Sequence, residues 1–275
     1  MSNVEQNPIE EPTIRLGVST CLLGEQVRFD GGHKLDRYLT GTLGLFVEWV
    51  PVCPEVEMGL PIPRESLRQV GDRENPRLIA PKSGTDHTEA MVAWARKRVE
   101  ELAGAGLHGF VFKKDSPSSG LFRVKVYNKH GMAQKNGTGM FPREVMNRFP
   151  LLPLEEEGRL NDMPLRENFI ERVFAYQRWT EMLENEPTPG SLVKFHTAHK
   201  LTLMAHPGNG TRTGSPKHYT DMGRLVADAG NRDWDEVTAE YGAMLMEGLA
   251  VRSPELGEGM GTRGKHVNVL QHLRS

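Results

Sequence analysis

Cys21 and Cys53 are the only two cysteines in 275 residues, and each follows an apolar, β-branched run. Thr13–Val18 (TIRLGV) leads into Ser19-Thr20-Cys21-Leu22-Leu23-Gly24, and Leu45–Val52 leads into Cys53-Pro54-Glu55 within the stretch PVCPEVEMGLPIPR. If the two runs are neighbouring parallel strands, both sulfurs reach one site, because ligands collect at the carboxyl ends of strands in open α/β sheets. Two thiols there suit metal ligation or nucleophilic attack, and equally the packing of small apolar side chains. Glu55 offers a carboxylate able to take a proton from water, although it is equally a solvated loop charge. A third loop, Lys113-Lys114-Asp115-Ser116-Pro117-Ser118-Ser119-Gly120, combines two lysines with a turn of free amides and suits an anion or a polarised ligand atom. Its serines suit helix capping as well. His33 is a base that a nucleophilic cysteine would need.

Positioning these residues requires a sheet. His108–Lys113 is the third buried-type run, and Asp86–Ala105 is an amphipathic helix whose Met91, Ala95, Val99 and Leu102 recur at helical spacing, with Thr85 or Asp86 as its cap. Strand, helix and strand in that order predict a parallel crossover. Phe122–Asn128 is extended, Pro142–Phe149 is helical, Gln69–Pro81 is polar and turn-rich, and Pro150–Pro164 is a connector. From Leu165 onward helices dominate, in LRENFIERVFAYQRWTEML, SLVKFHTAHKLTLMAH, HYTDMGRLVADA and WDEVTAEYGAMLMEGL. The expected organisation is a flexible tail over 1–12, an α/β domain with a parallel, Rossmann-like sheet over 13–160, and an all-α domain over 161–275.

Composition narrows the class without choosing the activity. A hydrophobic content of 37%, a charged content of 25% and a net charge of −2 describe a soluble globular protein with no general attraction for nucleic acid. No apolar run approaches the roughly 20 residues of a membrane span, and the N-terminus lacks the basic and apolar regions of a secretory signal. Few cysteines and no export signal predict a reducing, cytoplasmic setting. His196 and His199 stand at helical i, i+3 spacing, with His206, His266 and His272 beyond. Without a neighbouring thiol or carboxylate they are read as packing residues rather than a second metal site.

The segments VSTCLLG, VRFDGGHK, VCPEVEMGLPIPRE, KKDSPSSG and KNGTGMF resemble the thiouracil and thiouridine desulfidases of the TudS and RudS type. That resemblance implies a [4Fe–4S] cluster held by three cysteines, with one iron open to the sulfur of a thiocarbonyl. Two of the three positions fall on Cys21 and Cys53, and the third falls on Ser119. A serine oxygen is a harder and far less acidic ligand than thiolate, so a cluster here is expected to bind weakly, to be lost or to degrade. The resemblance also assigns Glu55 as acid/base and Ser116 near the reacting sulfur, and makes Arg28 and Lys114 substrate contacts. RLNDMPLRENFIERVFAYQRW, LVKFHTAHKLTLMAH and RGKHVNVLQHL resemble the YbgA-type domain often fused to such desulfidases, here ending early. Fusions of this kind imply 4-thiouridine in tRNA as substrate, with Lys194, His199, Lys200 and Arg263 toward phosphates. The thiolated base or nucleoside alone is the smaller substrate form, and no membrane or protein partner is implied. The competing reading is a non-catalytic protein that binds tRNA through its modified base.

Overall fold

The computed structural model describes residues 14–204 and 216–250. The expected tail, His206, Arg263, His266 and His272 lie outside the described residues. The described residues begin with β1 (Ile14–Ser19), α1 (Arg37–Gly41), β2 (Val47–Val52) and the one-turn α2 (Pro54–Glu57). There follow β3 (Arg68–Gly71), β4 (Pro76–Ile79), α3 (Thr88–Ala103), β5 (Gly109–Phe112), β6 (Val124–Tyr127), β7 (Ala133–Gly137), α4 (Met140–Arg148) and β8 (Leu154–Glu156). The remaining described elements are helices: α5 (Met163–Asn185), α6 (Pro189–Ala198), α7 (Lys200–Met204), α8 (Pro216–Asp228) and α9 (Trp234–Ala250).

Strands β2, β1, β5 and β8 form a parallel sheet in that order. Every residue of β5 is buried, and so is β1 apart from Arg15, as expected of strands covered on both faces. On one face Phe110 and Phe112 stack at 4.2 Å and meet Phe141 edge-on, with Ala95, Val99 and Leu102 of α3 completing the layer. On the other face Ile14, Leu16 and Val18 pack with Leu39, Phe169 and Val173. The α/β class with a parallel sheet and a helical C-terminal region therefore holds.

The sheet tolerates little extra volume. A Cβ on Gly17 would lie 2.0 Å from the Phe110 ring, so this strand position needs glycine for close packing.

Helix α5 joins the two halves. Phe169 and Val173 belong to the core against β1, whereas Ala175 and Trp179 belong to the helical core with Leu192, Tyr241 and Leu245. Trp179 stacks on Tyr241 at 5.2 Å. The side-chain amide of Asn168 also donates to the Leu249 carbonyl at 2.7 Å.

Three local expectations need correction. Gln69–Pro81 is not only turns: β3 and β4 form an antiparallel pair and, with β6 and β7, a second four-stranded sheet. Gln69 and Leu78 are fully buried there, so a polar residue occupies a core position because its amide finds carbonyl partners. Pro150–Pro164 is not merely a connector, since β8 extends the parallel sheet within it. The run SLVKFHTAHKLTLM is broken at His199, where α6 ends and α7 begins. The α3 cap also differs in detail: Asp86 Oδ1 accepts from the Thr88 amide at 2.9 Å, while His87 occupies the cap position without a side-chain bond.

Candidate active site

Because β2, β1 and β5 are parallel neighbours, their carboxyl ends deliver Cys53, Cys21 and the Lys113–Gly120 loop to the same edge of the sheet. They line a cavity of about 380 Å³ together with Arg28, Phe29, Lys34, Glu55 and Arg64. The sequence expectation that both sulfurs share one site is met. Cys21 is buried and Cys53 half-buried, with the Cys53 sulfur 3.9 Å from the Val27 carbonyl. Burial pushes the Cys21 thiol up to about 11 against the lowering effect of nearby Lys113, and burial raises Cys53 as well. Thiols held protonated at neutral pH suit packing, or ligands that lose a proton on binding metal, rather than free nucleophiles. His33, the base invoked for a nucleophilic reading, is not among the cavity-lining residues and accepts the Leu35 amide through Nδ1 at 3.2 Å.

Glu55 is not a solvated loop charge. Its Oε2 receives Arg64 Nε at 2.8 Å and Nη2 at 2.7 Å, and its Oε1 receives the Ser118 hydroxyl at 2.6 Å. Arg64 also donates to the Val27 and Pro61 carbonyls. Ser116 Oγ lies 3.0 Å from Ser118 Oγ and accepts the Ser119 amide at 3.1 Å, so a line of hydroxyls leads from the loop to the carboxylate. Cys53 is pinned by its own amide, which donates to Glu57 Oε1 at 2.8 Å, and Glu57 is paired in turn with Arg98.

The serine loop is shaped by close backbone approaches. The Gly120 amide donates to the Ser116 carbonyl at 2.8 Å and the Gly139 amide to the Gly120 carbonyl at 2.6 Å. A Cβ on Gly139 would sit 2.8 Å from the Ser118 carbonyl, which explains the glycine of KNGTGM. Gln69 donates from Nε2 to the Pro117 and Thr138 carbonyls, each at 2.8 Å.

The two lysines ahead of the loop are not equivalent. Lys113 lines the cavity with its Nζ 2.7 Å from Glu157 Oε1, so its charge is already paired within the protein. Lys114 remains at the cavity, its stem lying over Gly158. Arg28 also lines the cavity and pairs with Asp30 at 3.3 Å. Sequence reasoning missed Arg64, Gln69, Glu156 and Glu157. Arg64 does close the stretch that carries Cys53 and Glu55, but spacing gives no sign that it folds back.

Outside the lining of this cavity, His199 is buried, stacks on Phe195 and has Nδ1 2.9 Å from the Phe195 carbonyl. His196 Nδ1 is 3.1 Å from the Tyr241 hydroxyl. Lys194 is exposed beside Glu186, at 3.6 Å, and Lys200 begins α7. Among the described residues no group of three His, Cys, Asp or Glu side chains is placed to hold a metal ion.

A family model described as 2-thiouracil desulfurase matches residues 16–157, the segment that builds this cavity. The chain belongs to the 2-thiouracil desulfurase family. Residues 200–275 match a second model, described as a protein of unknown function (DUF1722), in agreement with the YbgA-type resemblance. Among solved structures, a [4Fe–4S]-dependent thiouracil desulfidase, TudS, is 27% identical over 56% of this chain and 97% of its own, with a TM-score of 0.46. No curated protein matches. In this desulfurase-family cavity the three candidate cluster positions carry two thiols and the hydroxyl of Ser119, one thiolate short of a three-cysteine site.

Proposed function

We propose that the cavity receives a thiolated uracil, presented as 4-thiouridine in tRNA, and that the reaction belonging to it is hydrolytic desulfuration to uridine in the reducing cytoplasm. Water adds at the thiocarbonyl carbon, the C–S bond breaks, and sulfur leaves as hydrogen sulfide. The carbon keeps its oxidation state, so no oxidant or reductant is consumed. The observation that carries the reading is Glu55, in a desulfurase-family cavity, held between Arg64 and Ser118 on the edge that also carries both thiols.

In this reading Glu55 takes the proton from the adding water and returns it to the departing sulfur. Ser116 and Ser118 conduct or hold that proton along their 3.0 Å contact. Arg28 and Lys114 at the cavity face the nucleotide's polar groups, and Lys194 and Lys200 supply phosphate contacts from the helical region. Arg263, assigned to the same task, lies outside the described residues.

A [4Fe–4S] cluster, when bound by three thiolates, supplies a soft Lewis acid for the leaving sulfur. The residues present do not fit that group: a hydroxyl at Ser119 stays protonated where a thiol would ionise on binding iron. This chain is therefore an impaired desulfidase that retains recognition of its substrate. The same serine is the observation that favours non-catalytic binding of modified tRNA as the second reading.

Anaerobic iron–sulfide reconstitution of the chain beside Ser119→Cys, with bound iron and loss of 4-thiouridine from tRNA as readouts, separates the two. Iron uptake and desulfuration by Ser119→Cys, with little of either in the parent chain, supports the impaired desulfidase. If neither protein holds iron or removes sulfur while both bind thiolated tRNA, the desulfidase reading falls and the binding reading stands.

A further inference from the structure

Three consecutive glutamates, Glu155, Glu156 and Glu157, are buried at the end of β8, each less than 10% exposed. Runs of carboxylates are ordinarily solvated, because removing an ion from water is costly unless hydrogen bonds replace the lost hydration. Glu155 has a local explanation: Oε1 accepts Arg159 Nε at 2.6 Å and the Glu156 amide at 3.0 Å. The other two reach across the sheet edge to the serine loop. Glu157 takes Lys113 Nζ at 2.7 Å and the Lys114 amide at 2.8 Å, where the loop leaves β5. Glu156 Oε1 takes the Leu121 amide at 2.9 Å and the Phe122 amide at 3.0 Å, where the loop ends.

We infer that Glu156 and Glu157 are positioning residues for the reaction site, fixing the two ends of the loop that carries Ser116, Ser118 and Ser119. Strand β8 pairs in register with β5, with Phe112 opposite Glu156, so one rigid strand sets both anchor points. A backbone amide bonded to a carboxylate makes a charge-assisted contact, roughly twice as strong as a neutral one. Substrate-positioning loops need such support, since a displacement of about 1 Å can cost about 100-fold in rate. Burial raises Glu156 above the ordinary carboxylate range against the lowering effect of the two amides, in keeping with a group kept from water by the loop it holds. The inference rests on the functional reading above only for what the loop does; the anchoring itself is independent of it.

The test compares Glu156→Ala, Glu156→Gln and Glu157→Ala with the parent chain by amide hydrogen exchange, and measures binding of the 4-thiouridine nucleoside to each. Glu156→Ala is expected to speed exchange at Leu121 and Phe122 by at least about tenfold, and Glu157→Ala to do the same at Lys114, while β1, β5 and α5 keep their rates. Glu156→Gln, whose amide oxygen still accepts from both N–H groups, is expected to restore most of the protection. Nucleoside affinity is expected to fall by at least about tenfold in the alanine variants and to recover in Glu156→Gln. Unchanged exchange at the three amides, or uniform acceleration across the whole protein, overturns the inference. Local acceleration with unchanged affinity also overturns it, since the glutamates would then order the loop without serving the site. If the parent chain itself binds no 4-thiouridine, the functional reading is lost, and the exchange rates still decide the anchoring.

Discussion

Arg64→Met removes the guanidinium that holds Glu55 and keeps most of the side chain's apolar volume. The pair is largely dry, with side-chain exposures of 5% for Arg64 and 14% for Glu55. Without its partner the Glu55 carboxylate keeps only the Ser118 hydroxyl, and the Val27 and Pro61 carbonyls each lose a donor. Breaking a buried pair by deleting one member typically costs about 3–5 kcal/mol, much of it from the charge left behind. Against a total stability of about 5–15 kcal/mol, the variant should stay folded with a clearly lowered denaturation midpoint. The assay is denaturant unfolding of the parent chain, Arg64→Met, Glu55→Gln and the double variant. Since Glu55→Gln removes the stranded charge, the double variant should be less destabilised than the two singles summed, by at least about 1 kcal/mol. A cost below about 1 kcal/mol for Arg64→Met, or strict additivity, would show that the pair is solvated in solution and refute Glu55 as a preorganised base.

Ser118→Ala takes the donor from Glu55 Oε1 and should cost about 1.5–3 kcal/mol by chemical denaturation, the usual range for a bond to a charged group, with Ser116→Ala costing less. In metal-free protein, alkylation of Cys21 should accelerate about tenfold per pH unit to about pH 10, because its thiol is pushed up to about 11; a plateau near the ordinary cysteine range would contradict its burial. Asp86, lowered from 3.8 to about 2 by bonds from Thr88 and Arg77, contributes stability present above its ordinary value and lost as pH falls toward 2. Asp86→Ala should therefore lower stability at neutral pH and flatten the acid-unfolding curve between those values, as read by pH-dependent melting.

What the sequence determined by itself follows from local pattern. Apolar runs before Cys21 and Lys113 mark strands because burial on both faces demands continuous hydrophobicity, whereas the run before Cys53 forms the edge strand β2, buried only at Val52, with Leu45 and Phe46 before it exposed; Met91, Ala95, Val99 and Leu102 mark α3 because helical spacing puts them on one face. With parallel order, those strands commit both thiols, Glu55 and the serine loop to one edge. The absence of a third cysteine at Ser119 is likewise plain from the chain alone. Tertiary structure decided how these groups are held. Arg64 meets Glu55 only after the chain turns back, and Gln69, Glu156 and Glu157 reach loop atoms 34 to 69 residues away. A polar side chain satisfied by a distant backbone group leaves no periodic trace, so Gln69–Pro81 read as turns and Pro150–Pro164 as a connector. The same physics separates Lys113 from Lys114: both line the cavity, yet Lys113 is paired with the buried Glu157 that follows β8 while Lys114 gives Glu157 only its backbone amide.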